Sequence, residues 1–157
     1  MSEERATTAL ARSGIDYTIV RHGPVTSLTE AAHARGVTTS QIVKTLVVRR
    51  GEDDYLFILV PGGRQISWPK LRVVLGVARM SMPDADTARD VTGYVRGTIT
   101  PFGAHHPWPV IADSHIEGTV SIGAGAHGVS ALADASDIIR VLGAIVVDVT
   151  VAQRADA

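Results

Sequence analysis

The stretch GYVRGTITPFG, from Gly93 to Gly103, constrains this chain more than any other. It sets Gly93, Gly97 and Gly103 within eleven residues and places Pro101 directly before Phe102. Glycine at that density weakens both a helix interior and a strand. It suits a loop that turns sharply, or one whose amides approach a ligand with no Cβ atoms in the way. A second cluster, Gly123, Gly125 and Gly128 around His127, follows, and the most strand-like material of the C-terminal half lies between the two. The pattern predicts strands that carry two glycine loops to one end of a sheet, with a pocket between the loops and Lys44.

A length of 157 residues is that of one domain with room for a real core. Aromatics are 4% of the chain, so valine, leucine, isoleucine and alanine must fill that core. The absence of cysteine excludes disulfides, thiolate catalysis and cysteine-ligated zinc. No apolar run approaches the ~18 residues of a membrane span. The opening Met1-Ser2-Glu3-Glu4 does not fit a signal peptide, so a cytoplasmic protein away from membranes is expected. A net charge of −1 argues against a domain that wraps nucleic acid. The charge is uneven, however: Lys44 to Arg79 holds seven basic residues against three acidic ones, and the remainder sums to −5. That distribution permits a modest phosphate-contacting face near Lys44, or a solvated surface with no partner.

Along the chain, Glu3 to Ser13 reads as a helix with Ser2 as N-cap and Gly14 past its end. Asp16 to Arg21 reads as a short strand, and His22-Gly23-Pro24 as a turn. Ser27 and Glu30 fit a capping box opening a helix that stops at Gly36. Gln41 to Arg49 and Tyr55 to Val60 form the clearest strand pair, apolar enough to be covered on both faces. Pro61-Gly62-Gly63 ends the second strand. Trp68 to Leu75 is a helix with Pro69 at its first position and Gly76 beyond it, and Asp84 to Val91 is another. Strands follow at Pro109 to Ala112, Thr119 to Ile122 and Ala144 to Val149, with a helix at Asp134 to Leu142. No linker or repeat interrupts 1–157. Strands and helices alternate without a steady βα rhythm, which favours an α+β fold with a mixed sheet.

Lys44 breaks an apolar row: on a strand it shares a face with Ile42, Leu46 and Val48. Such breaks concentrate at functional sites, although a lysine that snorkels or guards an edge gives the same pattern. The Gly97 to Gly103 loop has the character of one that offers backbone N–H groups to an oxyanion or phosphate, but it matches neither a Walker nor a Rossmann pattern. Gly123 to Gly128 reads as a weaker version of the same, with His127 as a donor. His105, His106, Asp113 and His115 invite a metal reading, and a metal hydrolase on those histidines is one rival. Their spacing lacks the helical i, i+4 pair, so surface-loop histidines and no metal are expected.

Taken together, the segments SLTEAAHARGV, QIVKTLVV, YLFILVPGGRQI, TGYVRGTITPFG, VIADSHI, SIGAGAHG and ASDIIRVLGAIVVDVT resemble the YbaK-like aminoacyl-tRNA deacylase family. That family also occurs as the editing insertion of bacterial prolyl-tRNA synthetases, and the likeness runs from roughly His22 to Thr150. The resemblance implies a single α+β domain with a mixed, barrel-like sheet flanked by helices. It implies hydrolysis, without a cofactor, of the ester joining a mischarged small amino acid (alanine, cysteine or proline) to a tRNA, by analogy tRNA-Pro. The partners it implies are the tRNA acceptor end and a prolyl-tRNA synthetase. Lys44 matches the family's key lysine, and Gly97, Pro101 and Gly103 match its ester-binding loop. The residues expected to carry the reaction are therefore Lys44, Gly97 and Gly103, with Pro101, Phe102, Gly123, Gly125, His127 and His22 around the substrate. Thr45, Thr98, Ile99, Thr100 and His127 depart from common family residues, which leaves the amino acid open. A non-catalytic module that binds aminoacyl-adenosine, a nucleotide or a synthetase is the rival reading.

Overall fold

The computed structural model describes residues 2–153. Its centre is a hairpin, β2 (Ile42–Gly51) against β3 (Asp54–Pro61), turned at Asp53, whose φ of 52° is the only positive value outside glycine among the described residues. From Asp54 onward β3 reads DYLFILVP, and every residue after the first is buried. Alternation sends Tyr55, Phe57 and Leu59 into one apolar cluster and Leu56, Ile58 and Val60 into another, so the strand is covered on both sides.

Seven strands share one mixed sheet in the order β1-β7-β6-β2-β3-β5-β8. They comprise β1 (Tyr17–Arg21), β5 (Val110–Asp113), β6 (Thr119–Gly123), β7 (Val129–Asp134) and β8 (Ile145–Val147) beside the central pair. The β1–β7–β6 side and the β2–β3 hairpin are antiparallel, whereas β2–β6, β3–β5 and β5–β8 are parallel. A separate ribbon pairs β4 (Arg64–Ile66) with β9 (Thr150–Ala152). On one side of the sheet lie Leu10 of α1 (Ser2–Ser13), Ile138 of α5 (Ala135–Leu142) and Phe102. Leu71 of α3 (Trp68–Leu75) and Ile66 close the other side. This is the α+β, mixed-sheet architecture the sequence implies.

Local chemistry fixes the ends. Ser27 accepts the Glu30 N–H at the start of α2 (Leu28–Arg35), and Asp84 accepts the Thr87 N–H at the start of α4 (Ala85–Thr92). Gly36, Gly76, Gly93 and Gly143 close four helices in the left-handed conformation. Three expectations need correction. The Glu30 carboxylate reaches back to the Thr26 N–H and hydroxyl, one residue past the Ser27 amide that a capping box requires. Ser67 caps α3, so Pro69 stands at the second helical position. Ser2 already belongs to α1. Three strands also escaped the pattern: β4, β7 and β9.

Asp113 ties the far end of the sheet. Fully buried, it accepts from the Val149 N–H (3.1 Å), the His115 N–H (3.1 Å) and His115 Nδ1 (2.9 Å). Asp113→Ala leaves these donors unpaired, at about 1–3 kcal/mol. For a domain of this size we expect a fall in Tm of roughly 2–4 °C per kcal/mol, measurable by calorimetry. An unchanged Tm would show that the tie adds nothing.

Candidate functional site

Strand β2 meets β6 over only two residue pairs, Ile42 with Ser121 and Val43 with Ile122. Beyond Val43 the two strands part, and the gap holds a cavity of about 370 Å³. The direction of the backbone groups follows from the ladder. Arg49 exchanges both of its backbone bonds with Ser81 on the side away from β3, at 2.8 and 3.1 Å. Phe57, opposite Val47, gives its N–H to Pro109 rather than to β2. Antiparallel pairs alternate, so Val47 and Thr45 also turn their N–H and C=O groups away from β3, into the cleft. The cleft floor is thus an unpaired strand edge inside the molecule.

Its walls come from three places: Gly97 and Ile99 of the glycine loop with Gly123 at the end of β6, Met82, Pro83, Ala85 and Ala88 around the start of α4, and two arginines, Arg35 and Arg96. The two glycine loops touch as expected, since Gly125 donates to the Thr98 carbonyl at 3.2 Å. The loop is braced from within. The buried Tyr94 hydroxyl donates to the Phe102 carbonyl at 2.6 Å, and Thr98 Oγ1 donates to the Val95 carbonyl at 2.7 Å. Gly97 and Ile99, by contrast, offer N–H groups that no protein atom accepts among the described residues.

Three cations line the cleft and no carboxylate does. Lys44 is half-buried, and its Nζ donates to the Arg64 carbonyl at 3.3 Å. Arg35 donates Nη1 to Ser121 Oγ at 3.2 Å, while its Nε is buried with no partner. Burial lowers the pKa of both groups. The hydroxyl of Thr45, also buried, has no partner either. An enclosed set of positive charges with unpaired donors favours an anionic, hydrogen-bonding occupant.

The expected residues divide. Lys44, Gly97 and Gly123 line the cleft, and the exposed His127 packs its ring beside Gly97. Gly103 does not reach it: a Cβ there would lie 2.3 Å from the Arg5 carbonyl oxygen, so this glycine lets α1 approach the loop. Phe102 belongs to the core, and Pro101 beside it does not line the cleft. Gly125 fits under Ser2 and Tyr94, and Gly128 fits against the His22 carbonyl. His22 itself donates its backbone N–H to Gly128 and lies outside the cleft. Arg35 and Arg96 were missed. In sequence, Arg35 is the last residue of a helix, where a basic side chain needs no further reason.

The histidines do not assemble. His105 packs on Gly93, and His106 stacks on Trp108 with ring centroids 3.8 Å apart. Among the described residues one triple, Asp113, His115 and Asp148, has its ligand atoms within 4.8 Å. Both Asp113 oxygens already accept backbone N–H groups there, and Asp148 holds Lys70 at 2.9 Å.

A mixed-sheet domain with a cationic cleft between diverging strands, walled by a glycine loop, defines a class of site suited to an anionic substrate carrying a polarisable carbonyl. Comparison with known proteins makes this specific. Residues 22–144 match the family model for the aminoacyl-tRNA editing domain. The multifunctional Ser/Thr-tRNA deacylase ProXp-y of Escherichia coli K12 is 25% identical over 116 residues, 72% of this chain and 70% of that protein. The proline-tRNA ligase of Thermosipho melanesiensis is 32% identical over 97 residues, 61% of this chain but only 17% of the ligase. A crystal structure provisionally described as a trans-editing enzyme for prolyl tRNA synthetase superposes with a TM-score of 0.87 at 27% identity, covering 96% of this chain and 97% of that one. The chain belongs to the aminoacyl-tRNA editing domain family. It is accordingly an aminoacyl-tRNA editing domain, with a deacylase among its relatives, and it spans only a small part of the proline-tRNA ligases it matches. None of the helices described is long and apolar enough to cross a membrane.

Two predictions follow from this geometry. The chain has two lysines, Lys44 and Lys70, so NMR of isotopically labelled lysines resolves each. Lys44 should titrate below the ordinary lysine value of 10.5, because burial disfavours its charged form. Since the folded pKa is lowered, that group should favour the folded state increasingly as pH rises through the folded value. A Lys44 titration at or above 10.5 would contradict the burial. Gly103→Ala, at φ +71° and against the Arg5 carbonyl, should cost more than about 1 kcal/mol of stability. Its activity at a permissive temperature should stay within about twofold of the parent; lost activity with an unchanged Tm would instead place Gly103 at the substrate.

Proposed function

We propose that the chain acts in trans as a deacylase for tRNA, by analogy tRNA-Pro, mischarged with a small amino acid, and that the cleft between β2 and β6 is its active site. The observation that carries this reading is the cation-lined, carboxylate-free cleft with free N–H groups at Gly97 and Ile99. Lys44 and Arg35 hold the terminal adenosine and its phosphate. The loop N–H groups polarise the ester carbonyl and receive the charge that builds on its oxygen. Water adds to the carbonyl carbon, the bond to the ribose oxygen breaks, and that oxygen takes the proton, releasing free amino acid and tRNA. An aminoacyl ester is already activated, so orientation and fixed dipoles supply the acceleration.

The amino acid is small because the cleft must hold the adenosine as well. The unpartnered Thr45 hydroxyl favours a side chain that bonds to it, which ranks serine and threonine above alanine, cysteine and proline. The Escherichia coli relative, by its name a Ser/Thr-tRNA deacylase, agrees with that ranking. The reaction belongs in the cytoplasm, beside the synthetase that makes the error, with a prolyl-tRNA synthetase as the candidate partner.

The experiment is deacylation of tRNAs charged with serine, threonine, alanine, cysteine and proline, with and without chelator. Lys44→Ala removes a charge-assisted bond and should lower kcat/KM by about 10- to 100-fold. Thr45→Val should reduce the serine and threonine rates while sparing alanine. If a folded protein binds these tRNAs and cleaves none, it is a binding module, and the catalytic reading fails.

A further inference from the structure

Another cavity, of about 500 Å³, lies at the far end of β2, beside Arg49 to Glu52. Four arginines line it, Arg49, Arg50, Arg72 and Arg79, with Glu52 as the one acid. Arg50 is neutralised by a two-point pair with Asp54, at 3.0 and 3.1 Å. Arg49 donates only to the Gly51 carbonyl, and no acidic group pairs with Arg49, Arg72 or Arg79 among the described residues. Three guanidinium groups with no acidic partner therefore line one basin on a protein whose net charge is −1.

The basin adjoins the cleft along β2. Strand β2 runs from Lys44 in the cleft to Arg49 at the basin, about 17 Å at roughly 3.3 Å per residue. The backbone bridge between Arg49 and Ser81 separates the two: Met80 and Ser81 line the basin, and the next two residues, Met82 and Pro83, line the cleft. Its lining also selects among partners. No aromatic is present, so unstacked bases have no platform. No large apolar side chain but Met80 is present to anchor a protein partner. What the basin does offer is charge at spaced points, which suits phosphates without reading sequence.

We propose that this arginine basin holds the phosphate backbone of the paired acceptor stem while the unpaired terminus reaches into the cleft. The proposal rests on the editing function for its substrate but not for its test. The probe is an uncharged RNA minihelix with a single-stranded 3′ end, titrated against the whole chain at several salt concentrations. Arg49→Ala/Arg72→Ala/Arg79→Ala should weaken minihelix binding at least tenfold at low salt. It should also reduce the slope of log K against log salt by about 3, roughly one per lost contact. The triple lysine variant should restore most of the affinity, since a point charge suffices for phosphate. Hydrolysis of a minimal aminoacyl-adenosine ester should be unchanged in the alanine variant, which also reports that it is folded.

Unchanged minihelix affinity and slope in the triple alanine variant would overturn the basin, whatever the esterase result. So would arginine-dependent binding of an acidic peptide with none of RNA. Arginine-dependent minihelix binding by a protein that cleaves no ester would uphold the basin and remove the catalytic reading instead.

Discussion

The site depends on the parting of β2 from β6 after two residue pairs. A buried backbone donor or acceptor without a partner is costly, and a sheet normally satisfies its interior strands on both sides. Here Thr45 and Val47 are the fourth and sixth residues of an interior strand with one side open. The protein tolerates that opening because the other side of β2 is paired without a break from Val43 to Arg49 against β3. The β2–β3 pairing holds the strand in place, and β3 is buried from Tyr55 onward between two apolar clusters. A mobile edge at this point would close onto β6 or invite another strand. A fixed one presents polar groups at set positions, which is what orientation of a substrate requires.

The glycines divide their labour around that opening. Gly103, Gly125 and Gly128 each face a backbone carbonyl at a distance no Cβ tolerates, so they set how closely α1 and β1 approach the loops. Gly97 and Gly123 face the cleft. A Cβ on Gly97 would meet only the edge of the exposed His127 ring, at 3.3 Å. The packing glycines hold the loop from behind, Tyr94 pins its two arms together, and the cleft glycines leave its inner face bare. One sequence motif thus contains two different physical requirements.

That mixture explains what could be read from the chain alone. The hairpin was legible because its apolar content is nearly continuous and its ends are marked by glycine and proline. Most helix boundaries were legible from serine and aspartate caps and from glycines after the last turn. β4 and β9 are three residues each, and their pairing depends on contacts across more than eighty positions, which no local pattern carries. β7 was hidden because VSALAD follows a glycine cluster and has Val129 as its one β-branched residue. Lys44 stood out because it interrupts an apolar row. Gly103 and Phe102 could not be told from Gly97 by spacing, since only the approach of α1 separates packing from cleft. Arg35 left no signal, because a basic residue in a last helical turn is ordinary until the fold turns it inward.

The electrostatics bear on how a nearly neutral protein can handle RNA. A uniformly basic surface would bind any nucleic acid and lose selectivity for a tRNA end. In this chain the acids and bases are segregated instead, with the excess of base between Lys44 and Arg79. Within that segment the charges differ in kind. Lys44 is partly desolvated, so its field is less screened by water and salt than that of an exposed charge. Arg49 and Arg79 are exposed, and salt screens them. The two environments therefore separate encounter from placement. On the proposed function, the exposed arginines would attract and release a polyanion at rates that follow ionic strength, while the cleft cations would act on a terminus that has already entered. Selectivity then lies in the cleft, and the surface need only be weakly attractive.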